Sequence, residues 1–249
     1  MRTPREIGVE ITSRCNLRCR YCYYYDNEAT ATADLPADEW LRFFDECGAC
    51  GIMQTVLAGG EPFLRADLTA LLDGIVANRM RFALLSNGTC IDPAVAAHIA
   101  ATRRCDYVQV SIDGSCAATH DACRGEGAFD RAVQGIRTLQ AHGVPVTARV
   151  TVNRHNVDDL EATAALLLDE LGLPAISTNS AGYLGTCRLH ADEIQLTTAE
   201  RERAMATLER LAVAYDDRIT ATAGPLADAR MWRAMEQARQ AHAGDGTPG

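Results

Sequence analysis

Apolar residues alternate at Ile7, Val9 and Ile11, the two-residue period of a strand with one buried face. After a gap that holds three cysteines, Trp40, Phe43, Phe44 and Cys47 recur at helical spacing behind Pro36, a helix-opening residue. The apolar run Met53 to Ala58, closed by Gly59-Gly60, reads as a buried strand. Leu68, Leu71, Leu72, Ile75 and Val76 form a helical stripe, and Phe82 to Leu85 is a strand stopped by Asn87-Gly88. Asp92-Pro93 caps a helix carrying Val95, Ala96 and Ile99; Tyr107 to Ile112 is the next strand, ending in Asp113-Gly114. A helix marked by Phe129, Ala132, Val133, Ile136 and Leu139 stops at Gly143. Val146 to Val152 is a fifth strand, and Asn156 is expected to cap the following helix, which carries Leu160, Ala164, Leu167, Leu168 and Leu171. Pro174 to Ser177 is a sixth strand, and Thr197 with Glu200 predicts a capping box for one more helix.

Strand and helix thus alternate six times, and crossover helices between successive strands imply a parallel sheet. The expected fold class is α/β, a partial (β/α)6 parallel barrel related to the TIM barrel. Its chemistry should collect at the carboxyl ends of the strands, where the glycine, cysteine and acidic residues fall. Residues 1–216 read as this core domain and 217–249 as a C-terminal helix and flexible tail, the start of an extension. The tail from Ala243 to Gly249 has linker composition.

Composition narrows the function. The chain of 249 residues carries a formal net charge of -9 and no basic stretch, which argues against nucleic acid and against an anionic membrane surface. No apolar run approaches membrane-spanning length. The N-terminus leads straight into a strand without a secretory pattern, so a cytoplasmic setting is expected. Ten cysteines are then reduced thiols or metal ligands. Cys90, Cys105, Cys116, Cys123 and Cys187 are expected to be small core residues.

Residues 15–22 read Cys-Asn-Leu-Arg-Cys-Arg-Tyr-Cys, directly after the first strand. Three closely spaced thiols suit three corners of a cubane cluster, leaving one iron without a protein ligand and open to substrate. Three alternatives compete. A zinc site usually takes four ligands; the Cys47-Gly48-Ala49-Cys50 pair offers a dithiol, though at the end of a helix rather than its start; and the cysteines of the loop can be incidental.

Cys-x-x-x-Cys-x-aromatic-Cys after strand one, with Gly59-Gly60-Glu61-Pro62 after strand two, resembles the radical S-adenosylmethionine superfamily over about residues 5–181. The resemblance implies that Cys15, Cys19 and Cys22 hold a [4Fe–4S] cluster whose open iron binds the methionine part of S-adenosylmethionine. Reductive cleavage then yields a 5′-deoxyadenosyl radical that abstracts hydrogen from a substrate. It also implies a reducing partner such as flavodoxin or ferredoxin. By the same resemblance Gly59, Gly60 and Glu61 receive the methionine ammonium, and Tyr21 packs near the adenine. Ser86, ending strand three, joins the cofactor contacts. The run Ser111-Ile112-Asp113-Gly114, His120-Asp121 and Arg124-Gly125 resembles peptide-modifying members of the family. Ser111 and Arg124 are expected at the methionine carboxylate, since a guanidinium presents a planar fork. For Arg124 an ion pair with Asp121 or Glu126 competes. His120 is expected to be a structural hydrogen-bonder; for Arg149 and Asn153, on or just after strand five, the resemblance implies contact with the ribose, and plain satisfaction of the barrel interior competes.

Strands three to five resemble the branch with a C-terminal SPASM or twitch extension, which implies a peptide or protein substrate. No cysteine follows Cys187, so an auxiliary cluster is not expected here. A small-molecule or cofactor-biosynthesis enzyme is the alternative, and a non-catalytic iron–sulfur electron carrier is the alternative of another class. An electron carrier needs neither an open iron nor Gly-Gly-Glu-Pro. The chain is expected to be part of a longer enzyme.

Overall fold

The computed structural model describes residues 4–25 and 33–244. Its elements follow in the order β1 (Glu6–Glu10), α1 (Ala37–Ala49), β2 (Gln54–Ala58), α2 (Leu68–Ala77), β3 (Arg81–Ser86), α3 (Pro93–Thr102), β4 (Cys105–Ser111) and α4 (Ala117–Arg124). They continue with α5 (Ala128–Ala141), β5 (Val146–Val152), α6 (Leu160–Ala165), β6 (Ile176–Ser180), α7 (Ala191–Ile194), α8 (Thr198–Ala214), β7 (Ile219–Ala221) and α9 (Pro225–Gly244). Every strand pairs with its sequence neighbour in parallel, so the sheet order is β1 through β7. This is the expected α/β fold, the open barrel of crossover units, with one strand more than the periodicity shows.

Two elements escape periodicity for physical reasons. β7 has three residues, too short for an alternating pattern, and lies C-terminal to residue 216 while pairing with β6. α4 buries His120, Cys123 and Arg124, so its inner face is polar rather than apolar. The tail expectation falls largely on residues 245–249, which lie outside the described residues; α9 itself runs to Gly244.

Strand alternation divides the sheet into two unlike faces. On β4, Val108 and Val110 enter the helix-packed core, whereas Tyr107, Gln109 and Ser111 point the other way, into a cavity. β5 repeats this with Val146, Ala148, Val150 and Val152 outside and Arg149 and Thr151 inside. Helices cover the outer face through fully buried side chains such as Phe44, Leu71, Ile75, Ile99 and Ile136. Burial of this kind contributes about 25 cal/mol per Å² of apolar surface removed from water.

Local signals hold at the expected helix starts. Asp92 accepts from the Ala94 amide at 2.7 Å, and Thr197 and Glu200 form both bonds of a capping box. Asn156 is a correction. The residue before α6 is Asp159, and Asn156 is buried in a turn, accepting from the Asn153 amide at 2.8 Å and donating to the Asp113 carbonyl at 2.8 Å. The cysteines also divide. Cys105, Cys123 and Cys187 are buried, Cys90 is partly exposed, and Cys116 is exposed at the start of α4, where its sulfur meets the Thr119 hydroxyl at 3.6 Å.

Candidate functional site

The inner face of the sheet encloses a cavity of about 730 Å³. Cys15, Cys19 and Cys22 line it, as do Tyr21, Gly59, Gly60, Ser86, Asn87, Ser111, Arg124, Arg149 and Asn179. The loop after β1, the ends of β2 to β4, the end of α4 and the inner faces of β5 and β6 therefore converge, as the crossover topology requires.

The cysteine loop is held by its surroundings more than by itself. The Leu17 amide and the Asn87 side-chain amide reach Cys15 Sγ at 3.4 Å and 3.7 Å. The Arg20 amide donates to the Cys123 carbonyl at 2.9 Å. Thr186 donates its hydroxyl to the Cys19 carbonyl at 2.9 Å and its amide to the Cys22 carbonyl at 3.0 Å. Gly185 makes that clamp possible, since a Cβ there would stand 2.1 Å from the Cys22 carbonyl oxygen. Tyr25, 1 % exposed, donates its hydroxyl to the Ser13 carbonyl, and Arg18 lies 4.7 Å over its ring.

The glycine pair serves the loop as well as the cavity. Gly59 has φ +137, and a Cβ there would meet the Thr12 carbonyl oxygen at 2.3 Å. The Gly60 amide donates to that same oxygen at 2.8 Å, and a Cβ on Gly60 would meet the Arg14 carbonyl oxygen at 2.2 Å and Cys15 Cβ at 3.1 Å. Gly60→Val is therefore expected to displace the cysteine loop and reduce iron uptake severalfold on reconstitution, rather than only narrow the cavity. Gly8→Ala is the control: a Cβ at that cavity position meets nothing within 4 Å, and iron uptake should equal the parent's. Iron assay of the two proteins checks this.

Glu61 departs from expectation. Its carboxylate is 0 % exposed and does not line the cavity. The turn made by Gly59 folds it inward, where it accepts from the Ser86 hydroxyl at 2.8 Å and from the Asn87 and Phe63 amides at 2.7 Å and 3.1 Å. What this segment offers the cavity is backbone. Burial pushes the Glu61 carboxyl up to about 7, against the three hydrogen bonds. The unfolded chain then releases this proton first as pH rises, so stability falls between about pH 4.5 and about 7. Relative to Glu61→Gln, the parent is expected to lose roughly 1–3 kcal/mol across that window, read by denaturant unfolding at several pH values.

Asp113 is the hub that sequence reading missed. It is fully buried after β4. Arg124 Nε donates to its Oδ2 at 2.5 Å, the Tyr21 hydroxyl donates to the same oxygen, and the Thr151 amide donates to Oδ1 at 2.8 Å. Burial works against the carboxylate, but Arg124, His120 and these hydrogen bonds outweigh it and hold Asp113 below the usual carboxylate range. The partner of Arg124 is thus Asp113 rather than Asp121 or Glu126. Asp121 instead accepts from the Gly127 and Phe129 amides at 2.7 Å and 2.8 Å, at the start of α5. His120 accepts the Asp113 amide on Nδ1 at 3.1 Å, and burial lowers its pKa to about 4, so it serves as a neutral structural acceptor. Asn153 is 1 % exposed, lies outside the cavity lining and donates to the Thr151 carbonyl at 2.9 Å.

The donor set suits a polynuclear centre. Among the described residues no three Cys, His, Asp or Glu side chains converge on a point that one metal ion could fill. The three thiols nonetheless share one cavity, and a cubane takes one thiolate per iron corner. Burial pushes the Cys19 thiol up to about 12, and Cys22 and Cys15 add to the rise while Arg124 opposes it. A bound metal centre favours the thiolate form of such a group.

Known proteins resemble this chain. The Radical SAM superfamily profile matches residues 9–167. An AdoMet-dependent heme synthase of Methanosarcina barkeri is 34% identical over 173 residues, 69% of this chain and 49% of that protein. A PqqA peptide cyclase of Ruegeria pomeroyi is 30% identical over 207 residues, 82% of this chain and 55% of that protein. The chain thus spans about half the length of these curated relatives. The crystal structure of Streptococcus suis SuiB bound to S-adenosylmethionine superposes with a TM-score of 0.73 at 15% identity, covering 88% of this chain and 50% of that one; this likeness shows the fold. No helix among the described residues is long and apolar enough to cross a membrane.

Proposed function

The chain belongs to the Radical SAM superfamily, and from that premise we propose that it is the core of an enzyme that generates a substrate radical from S-adenosylmethionine. The observation that carries this reading is the meeting of Cys15, Cys19 and Cys22 with the Gly59-Gly60 backbone and Arg124 around one cavity. A bound [4Fe–4S] cluster would supply the electron that cleaves S-adenosylmethionine. The protein's own residues do the rest. Cys15, Cys19 and Cys22 would hold the cluster. The amide donors on Cys15 Sγ stabilise its thiolate. Gly59 and Gly60 present backbone to the methionine ammonium, and Ser111 with the cavity-facing edge of Arg124 receives its carboxylate. Tyr21, fixed through Asp113, packs beside the adenine. Ser86 and Glu61 lock the ends of β2 and β3, and Asn153 holds the turn after β5.

The proposed substrate is a peptide or protein. The PqqA peptide cyclase relative supports this, as does the Ser111 to Gly125 run. The heme synthase relative favours a second reading, a small-molecule substrate. Deuterium transfer into 5′-deoxyadenosine separates the two: transfer from a labelled peptide encoded at the same locus supports the first, and transfer only from a small molecule supports the second. Cofactor binding is tested by adding S-adenosylmethionine to the reduced, reconstituted protein. The cluster's electron paramagnetic resonance signal should shift in the parent and shift less in Ser111→Ala; an unaltered parental signal would refute cofactor binding at the cluster.

A further inference from the structure

We propose that the end of the cavity away from the cysteine loop is a carboxylate-binding subsite for the substrate, built on Arg149 and Tyr107. This rests on the reading of the other end as the cofactor site. Arg149 and Tyr107 both line the cavity from neighbouring strands. Arg149 Nε is buried with no hydrogen-bond partner, and among the described residues no carboxylate forms an ion pair with its guanidinium. A guanidinium is always charged and has only donors, so one that lines a cavity unpaired is complementary to an anion.

Its position borders the cofactor contacts on one side and Tyr107 on the other. Arg149 is paired in register with Ser111 on one side and Ser177 on the other. Tyr107 lies four residues before Ser111 on the same inward face of β4, toward the amino ends of the strands. Burial and Glu6 push the Tyr107 hydroxyl above its ordinary value and the Arg149 charge opposes them. Arg124, by contrast, is the guanidinium that acts on Cys19 and Tyr21. The cavity therefore has two cationic groups, Arg124, which is paired with Asp113, and Arg149, which has no ion-pair partner among the described residues. Tyr107 stays protonated and forms no hydrogen bond with the described residues, so its O–H is a second free donor. Gln109 donates to Ser177 at 3.3 Å, joining the strands on either side of Arg149. Glu6, the acidic group at this end, is exposed on β1 and pairs with neither. A substrate carboxylate seated here would point the rest of the molecule toward the cysteine loop. It could be an acidic side chain or a chain terminus.

Saturation-transfer NMR on the reconstituted protein, with S-adenosylmethionine present, tests the assignment. The probes are N-acetylglutamic acid α-amide for a side-chain carboxylate, N-acetylglycine for a terminal one, and N-acetylglutamine amide as the neutral control. At least one carboxylate probe should bind at least about tenfold more tightly than the control, and Arg149→Gln should remove that advantage. Tyr107→Phe should weaken it about threefold. In the parent itself, the bound carboxylate should protect Arg149 from phenylglyoxal, read by peptide mass spectrometry, which serves even where a variant misfolds. Equal binding of the neutral probe, undiminished binding by Arg149→Gln, or no protection would overturn the subsite. Lost S-adenosylmethionine affinity in Arg149→Gln with parental probe binding would place Arg149 at the cofactor and overturn it too. A parent that binds the carboxylate probes but ignores S-adenosylmethionine would instead defeat the cofactor reading alone.

Discussion

Cys19→Ala is expected to lower iron from about four per chain to less than about one after anaerobic reconstitution. Cys15→Ala and Cys22→Ala should do the same. The loss is one of ligand rather than of fold, because the loop at Cys19 is anchored through its backbone: Thr186 holds the Cys19 and Cys22 carbonyls, and the Arg20 amide is bonded to Cys123. Removing one sulfur leaves those bonds in place, so the cluster-free variant and the cluster-free parent should melt within a few degrees of each other. Cys47 and Cys50 sit at the end of α1 and do not line the cavity, so Cys47→Ala and Cys50→Ala should load iron as the parent does. Full loading of Cys19→Ala would remove the thiol from the ligand set.

The second large effect is expected at Asp113. Breaking a buried charge pair by removing one partner typically costs about 3–5 kcal/mol, because the other charge stays buried and uncompensated. Asp113→Asn strands the Arg124 guanidinium, 7 % exposed, and turns an acceptor of three hydrogen bonds into a group that also donates. We expect marked destabilisation in denaturant and at least about a tenfold loss of S-adenosylmethionine affinity, as Arg124 and Tyr21 lose their common anchor. Arg124→Met in the same background removes the stranded charge and should recover part of the stability but none of the affinity. A double-mutant cycle measures that coupling. Additive effects would mean that Asp113 and Arg124 act independently and that the hub is only apparent.

The fold was legible because helix and strand periods alternate without a break, and the three thiols because their spacing is local. The residues around them were not. Glu61 follows two glycines and looks like a cavity residue, yet the positive φ of Gly59 sends its carboxylate inward to Ser86 and Asn87. Asp113 reaches Tyr21 across 92 positions of sequence, a distance over which no local pattern carries information. Thr186 closes on the cysteine loop from 167 positions away, and only the tight Gly185 beside it is a visible trace. The inward residues Tyr107, Gln109 and Arg149 do follow a strand alternation. Alternation alone does not say what the polar side faces, and it takes the curve of the open parallel sheet to show a cavity there.

The most direct measurement is the fate of S-adenosylmethionine mixed anaerobically with the reconstituted, dithionite-reduced chain, followed by liquid chromatography and mass spectrometry. 5′-Deoxyadenosine and methionine are expected in equal amounts, formed only with reductant and absent from Cys19→Ala. A protein carrying about four irons that leaves S-adenosylmethionine intact under reduction would contradict the assignment of this chain as a radical-generating core.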